Sequence, residues 1–114
     1  MERLVKGNVI VTAFPFSDLS ASKHRPAFVL KVAGDDIVLC EITSKQRHSD
    51  DINLTEADFQ QGKLRVESWL RPLRLFTAHR SRILYSVGSL KAKKVHDIVE
   101  KVCSLLGKHE ENLG

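Results

Sequence analysis

Runs of apolar and polar residues change period several times along this chain, and each change marks an element. Asn8–Phe14 (NVIVTAF) is rich in β-branched residues between Gly7 and Pro15, which predicts a strand. A polar, Ser-rich segment runs to Lys23 and predicts an exposed loop. Arg25–Val32 predicts the next strand, with Pro26 at its start or at a sheet edge because proline has no N–H for the ladder. Gly34-Asp35-Asp36 suits a hairpin turn into Ile37–Thr43 (IVLCEIT). That third strand is apolar on both faces, then turns polar at Glu41, Thr43 and Ser44, as a central strand does when its end emerges at a surface.

Lys45–Asp51 is a charged loop, and Ile52–Leu54 a short strand. Thr55-Glu56-Ala57-Asp58 resembles a capping box with Asp in place of Glu, which predicts one helical turn starting at Thr55 and ended by Gln60-Gln61-Gly62. Leu64–Phe76 alternates charged and apolar residues with the period of a half-buried sheet, and Pro72 breaks or bulges it. Ser81–Val87 reads as one more strand, closed by Gly88. The period then becomes helical: Val95, Ile98, Val99, Val102 and Leu106 form one face, with Lys93, Lys94, Asp97, Glu100 and Lys101 on the other. Ser89 is the expected N-cap and Gly107 the expected C-cap. About six short strands, one helical turn and a terminal amphipathic helix predict a mainly β (α+β) fold: a small, strongly bent antiparallel barrel with a helix packed against it. The expected organisation is one domain over residues 1–107 and a polar tail over 108–114.

Composition narrows the function classes. A chain of 114 residues is the size of one domain. No apolar run approaches the ~20 residues of a membrane-spanning helix. The first residues carry no signal-peptide pattern. Cys40 and Cys103 both sit among apolar residues and read as buried thiols of a reducing, cytoplasmic compartment. No Cys/His pair has ligand spacing, so neither a metal site nor a cofactor is expected. The net charge of +4 is unevenly spread: from Gly62 to Lys94 there are nine Lys/Arg and one acid, Glu67. Such a field attracts polyanions, either nucleic acid or an acidic protein.

Several short segments, in order, resemble the PemK/MazF family of toxins from toxin–antitoxin pairs. They are Gly7-Asn8-Val9-Ile10, Phe14-Pro15-Phe16-Ser17-Asp18, Arg25-Pro26-Ala27-Phe28-Val29-Leu30, Leu39-Cys40-Glu41-Ile42-Thr43-Ser44, and Leu70-Arg71-Pro72 through Leu75-Phe76-Thr77, with Gly88-Ser89-Leu90 opening the last helix. The resemblance implies an SH3-like antiparallel barrel and a homodimer. It also implies metal-independent, sequence-selective cleavage of single-stranded RNA, and a cognate antitoxin whose acidic segment covers the RNA site. It places the catalytic arginine at Arg25 and the active-site threonine at Thr43.

Those residue types suit the chemistry. In metal-free RNA cleavage the ribose 2′-OH attacks the adjacent phosphate, leaving a 2′,3′-cyclic phosphate and a 5′-OH. The protein positions the strand, moves two protons and stabilises the phosphorane charge. Arg25 stays protonated and offers a rigid fork of donors. Thr43 can donate a hydroxyl to a phosphate oxygen. Some relatives pair a second arginine with an aspartate two residues on; here Arg71-Pro72-Leu73 keeps the arginine but not the acid. His24 is the nearest replacement, because an imidazole titrates near neutral pH; Glu41 and Asp18 stand behind it. Candidate RNA contacts are Phe16, Ser17, Asp18, Lys23, Ser44, Lys45, Arg71 and His79, with Ser17–Lys23 as a flap. Two other readings stand beside this one: a toxin-like barrel that binds without cutting (a degenerate toxin or a topoisomerase poison), and a general RNA-binding module.

Overall fold

The computed structural model describes residues 3–14 and 23–109. Phe16, Ser17, Asp18 and all of the expected flap except Lys23 lie outside the described residues. The strands are β1 (Asn8–Ala13), β2 (His24–Ala33), β3 (Asp36–Thr43), β4 (Ile52–Leu54), β5 (Phe59–Gly62), β6 (Ser68–His79) and β7 (Ile83–Leu90). One helix follows, α1 (Ala92–Gly107). All seven strands form one antiparallel sheet in the order β4-β6-β3-β2-β1-β7-β5.

The two edge strands are consecutive in the chain. Only Thr55–Asp58 lies between β4 and β5. That span reaches less than ~20 Å, whereas a flat seven-stranded sheet would hold its edges about 29 Å apart. The sheet therefore curls, giving the half-barrel that the strand pattern predicts. The curl buries side chains on both faces. Ile10, Phe14, Ala27, Val29, Ile37, Leu39, Phe76 and Ile83 form one cluster. Phe28, Cys40, Ile42, Leu54, Phe59, Leu70 and Leu90 form the other, with Ile98 and Val102 of α1. Being covered on both sides explains why β3 is nearly all apolar.

Several boundaries differ from the sequence expectation, each for a physical reason. Gln60-Gln61-Gly62 is part of strand β5 rather than the end of a turn; it pairs with β7, and Phe59 anchors it in the core. The single turn before it forms as expected: Asp58 Oδ2 accepts the Thr55 N–H at 2.9 Å. The alternating stretch becomes strand only at Ser68, because residues 64–67 are not paired into the sheet, and β6 runs on to His79. Pro72 sits in the predicted irregularity, where Leu70 and Leu75 of β6 pair with Ile42 and Cys40 of β3. Strand β7 passes through Gly88, so Ser89 is a strand residue and not an N-cap; Lys91 holds that place.

Gly88 stays in the strand because β5 crosses it closely. A Cβ on Gly88 would lie 2.2 Å from Gln61 O, and one on Gly62 would lie 2.0 Å from Val87 O. Cys103 is exposed on α1, contrary to the expectation of two buried thiols, while Cys40 is fully buried. Leu106, expected on the apolar face, is also exposed, and the buried residues of the helix are Ile98 and Val102. No helix among the described residues is long and apolar enough to cross a membrane.

Candidate functional site

The C-terminal end of β3 and the start of β2 lie side by side, since Ala27 pairs with Glu41. This register brings His24 and Arg25 from β2, Thr43 from β3 and Ser44 just after it, to one cleft of about 680 Å³. That volume is within the ~300–1,000 Å³ range of ligand sites. Arg47 and the segment from Lys63 to Val66 form the rest of its rim, and Tyr85 of β7 contributes an exposed ring. Among the described residues its lining has four permanent cations, Arg25, Arg47, Lys63 and Arg65, and no carboxylate. Apolar Val11, Pro26, Ile42 and Val87 complete its walls. A polyanion with flat rings fits such a surface: cations meet phosphates, and exposed apolar and aromatic groups meet bases.

Thr43 is buried at the strand end and Arg25 is partly exposed, its side chain 38% accessible. The Phe14 N–H donates to Lys23 O at 3.0 Å, which ties the end of β1 to the start of β2. The Arg25 guanidinium carbon lies 6.0 Å from the centre of the Phe14 ring. Phe14 in turn packs edge-on against Phe76, centroids 4.6 Å apart. On its other side Arg25 meets Glu41, with Nη1 3.5 Å from Oε1.

Glu41 is the unexpected centre of the region. Its residue is 5% exposed. Besides Arg25, its carboxylate lies 3.1 Å from Arg74 Nε and 3.9 Å from Arg71 Nη1. Arg71 Nε lies 3.8 Å from Asp51 Oδ1. The Asp51 carboxylate also accepts the N–H groups of Arg47 and His48 at 2.8 and 2.9 Å, which shapes the 45–51 loop. Arg71 and Arg74 line a second, smaller cleft of about 170 Å³ with His48, Asp50, Asp51 and Leu73.

The sequence-predicted residues thus divide. His24, Arg25, Thr43 and Ser44 come together in the large cleft, and Arg71 reaches its neighbourhood through Glu41. Lys23 and Lys45 are exposed beside them in the chain. His79 is not brought there. It pairs with Asp36 at the opposite end of β3, about 23 Å of strand away from Thr43. Its Nδ1 accepts the Ser81 N–H at 3.0 Å, a local cap on the short turn before β7. Leu73 is exposed and supplies no carboxylate. Sequence reasoning had Lys63, Arg65 and Arg74 only as part of the basic stretch after Gly62, and it did not place Arg47, Asp51 or Tyr85 at the site. One signal was available for part of this group: a lone carboxylate inside the apolar run IVLCEIT must find cations when buried. Among the described residues no cluster of His, Cys, Asp and Glu could hold a metal ion.

Comparison with known proteins agrees with the fold. The chain resembles MazF from Deinococcus radiodurans, at 22% identity and a TM-score of 0.69, over 90% of this chain and 96% of that one. It also resembles an endoribonuclease from a Mycobacterial species in complex with its cognate antitoxin, at 12% identity and a TM-score of 0.68, over 97% of this chain and 100% of the other. The Mycobacterium tuberculosis toxin MazF-mt6 matches at 13% identity and 0.67, over 90% and 99%. No curated protein sequence matches the chain. Residues 6–106 match the sequence profile of the PemK-like, MazF-like toxins of type II toxin–antitoxin systems, and with most of its length matched the chain belongs to that family.

Proposed function

We propose that this toxin is an endoribonuclease that cuts single-stranded RNA, needs no metal, and works at the cleft between β2 and β3. The observation that carries the reading is the convergence of Arg25 and Thr43 in a cleft that is lined, among the described residues, by four cations and no acid. RNA lies with its phosphates toward Arg25, Arg47, Lys63 and Arg65. The 2′-oxygen attacks phosphorus and the bond to the 5′-oxygen breaks, leaving a 2′,3′-cyclic phosphate and a 5′-OH. The Arg25 guanidinium takes the charge that builds on the non-bridging oxygens, and the Thr43 hydroxyl donates to one of them. His24, which lines the cleft, takes the 2′ proton or returns one to the leaving oxygen. Similar chains are described as complexes of an endoribonuclease with its antitoxin and of MazE with MazF. This supports a cognate antitoxin as the partner here, as the family membership does. A homodimer is the assembly the family resemblance implies.

The test is end-mapping of a long RNA incubated with purified protein in EDTA. Discrete cuts with 2′,3′-cyclic-phosphate ends are expected. Arg25→Ala should lose them while its melting temperature and circular dichroism match the wild type. Cuts that persist in Arg25→Ala would remove Arg25 from the mechanism. The exposed Leu73, where an acid was expected, favours a second reading, a toxin that binds without cutting. RNA that is bound but never cut by the wild type would establish that one instead.

A further inference from the structure

We propose that Glu41 is a positioning residue: its buried carboxylate aims Arg25 into the large cleft and, through Arg71 and Asp51, ties that aim to the shape of the 45–51 loop. This inference rests on the endoribonuclease reading for its functional consequence, but the clamp itself is a property of the free protein.

Glu41 points to the same face as Arg25, because both belong to the alternating set Arg25, Ala27 and Leu39, Glu41 of paired strands. That face is the apolar cluster of Phe14, Phe76 and Leu39. A carboxylate buried there is costly unless cations reach it. Three do: Arg25 from β2, and Arg71 and Arg74 from the irregular part of β6. Arg25 is held from two sides, by Glu41 at 3.5 Å and by the Phe14 ring at 6.0 Å. Its exposed remainder then faces the cleft.

The contact distances explain why the clamp can serve a reaction. A tight guanidinium–carboxylate hydrogen bond is ~2.7–2.9 Å long. Arg25 Nη1 sits at 3.5 Å from Glu41 Oε1, a longer contact that orients the guanidinium and leaves most of its five donors for another acceptor. A phosphate can take those donors while Glu41 keeps its direction. Glu41 does not line the cleft, which separates it from groups that touch RNA.

The chain of contacts continues outward. Arg71 lies between Glu41 and Asp51, and Asp51 holds the Arg47 and His48 N–H groups. Arg47 lines the same cleft as Arg25. Loop residue and strand residue are therefore set against one another through two buried carboxylates and one arginine. The two clefts share this partition, since Arg71 and Arg74 line the smaller one.

Two measurements test the proposal. The first needs no RNA: NMR of the arginine Nε–Hε and Nη groups in the free wild-type protein. Guanidinium rotation of Arg25 should be slowed relative to exposed Arg3 and Arg65, and Glu41→Gln should restore it to their rate. Equal rotation of Arg25 and those two in the wild type would overturn the clamp even if Glu41→Gln failed to fold. So would an Arg25 signal unchanged in a folded Glu41→Gln. The second is single-turnover cleavage at saturating protein, with affinity measured separately on an oligonucleotide carrying a 2′-deoxy group at the cut site. Glu41→Gln should lower the saturated rate about tenfold or more and change the dissociation constant less than about threefold. An unchanged rate, or a loss found only in the dissociation constant, would overturn the positioning role. If the wild type cuts no RNA, the endoribonuclease reading fails and the rotation measurement alone decides the clamp.

Discussion

At the residue scale, the site is a few side chains whose roles follow from what surrounds them. Thr43 is buried at a strand end, where its hydroxyl is the group that distinguishes it from valine. Thr43→Val keeps the β-branched shape and removes one donor. Losing one such donor to a developing oxyanion costs about 10²–10³ in rate, so a loss of that size is expected, with Thr43→Ser largely active. His24 belongs to the same cleft, and in the proposed mechanism it moves a proton rather than supplying a fixed charge. His24→Gln should slow cleavage about 100-fold without weakening RNA binding, measured by rate and affinity on the same oligonucleotide. Cys40 shows the opposite use of burial. Desolvation pushes its thiol up from 9.0 to about 12. The folded state then holds the proton more tightly than the unfolded one, so this group's contribution to stability is intact below pH 9 and declines as pH rises from there toward 12. In a thiol titration of the native protein at pH 8, Cys103 should react and Cys40 should wait for unfolding.

At the element scale, the pairing of β5 with β7 closes one side of the half-barrel. It brings the Lys63–Val66 segment, which directly follows β5, to the rim of the cleft. Gly62 and Gly88 permit that pairing by letting the two backbones approach without a Cβ between them. Gly88→Ala has no room to relax, because the obstacle is backbone and its φ of +158° also disfavours a side chain. A loss of about 2 kcal/mol or more is expected from a mechanism of this kind, read by denaturant unfolding. Helix α1 has a different duty: Ile98 and Val102 seal the cluster around Phe28 and Leu70.

At the scale of the whole molecule, charge distribution matters more than net charge. The chain carries only +4, yet one cleft collects four cations and, among the described residues, no acid in its lining. Two acids near it, Glu41 and Asp51, are buried behind the arginines that they hold. RNA binding should therefore be strongly salt-dependent. Each phosphate contact removed lowers the log–log salt slope by about 0.7 for a single strand. Lys63→Ala with Arg65→Ala should lower it by about 1.4 in a titration from low to moderate salt, if each cation meets one phosphate. An unchanged slope would place the strand elsewhere on the surface.

How much of this was legible beforehand varies by element. Strands β1 to β4, the turn at Thr55 and the helix could be read because each has a local signature: β-branched runs, a capping pattern, a helical stripe. β5 could not, because FQQG has only Phe59 to suggest a strand and is held by β7, far along the chain. Gly88 looked like a terminator, yet it is the residue that allows the crossing. At the site, Arg25 and Thr43 were marked by ordered motifs, and the fold put them in one cleft. His79 was marked by residue type alone and lies at the far end of the strand.

The amino-acid order by itself determined the alternation that makes strands, the helical stripe of the tail, the basic bias after Gly62 and the family to which the motifs point. These are properties of neighbours a few residues apart, and local propensity and period encode them. Only the tertiary structure decided that the carboxylate in IVLCEIT would meet Arg25, Arg71 and Arg74, and that Asp51 would link the loop to them. Those meetings depend on strand register and on the irregularity around Pro72. A shift of one residue turns every side chain to the other face, so the charge cluster exists only when the whole sheet is assembled.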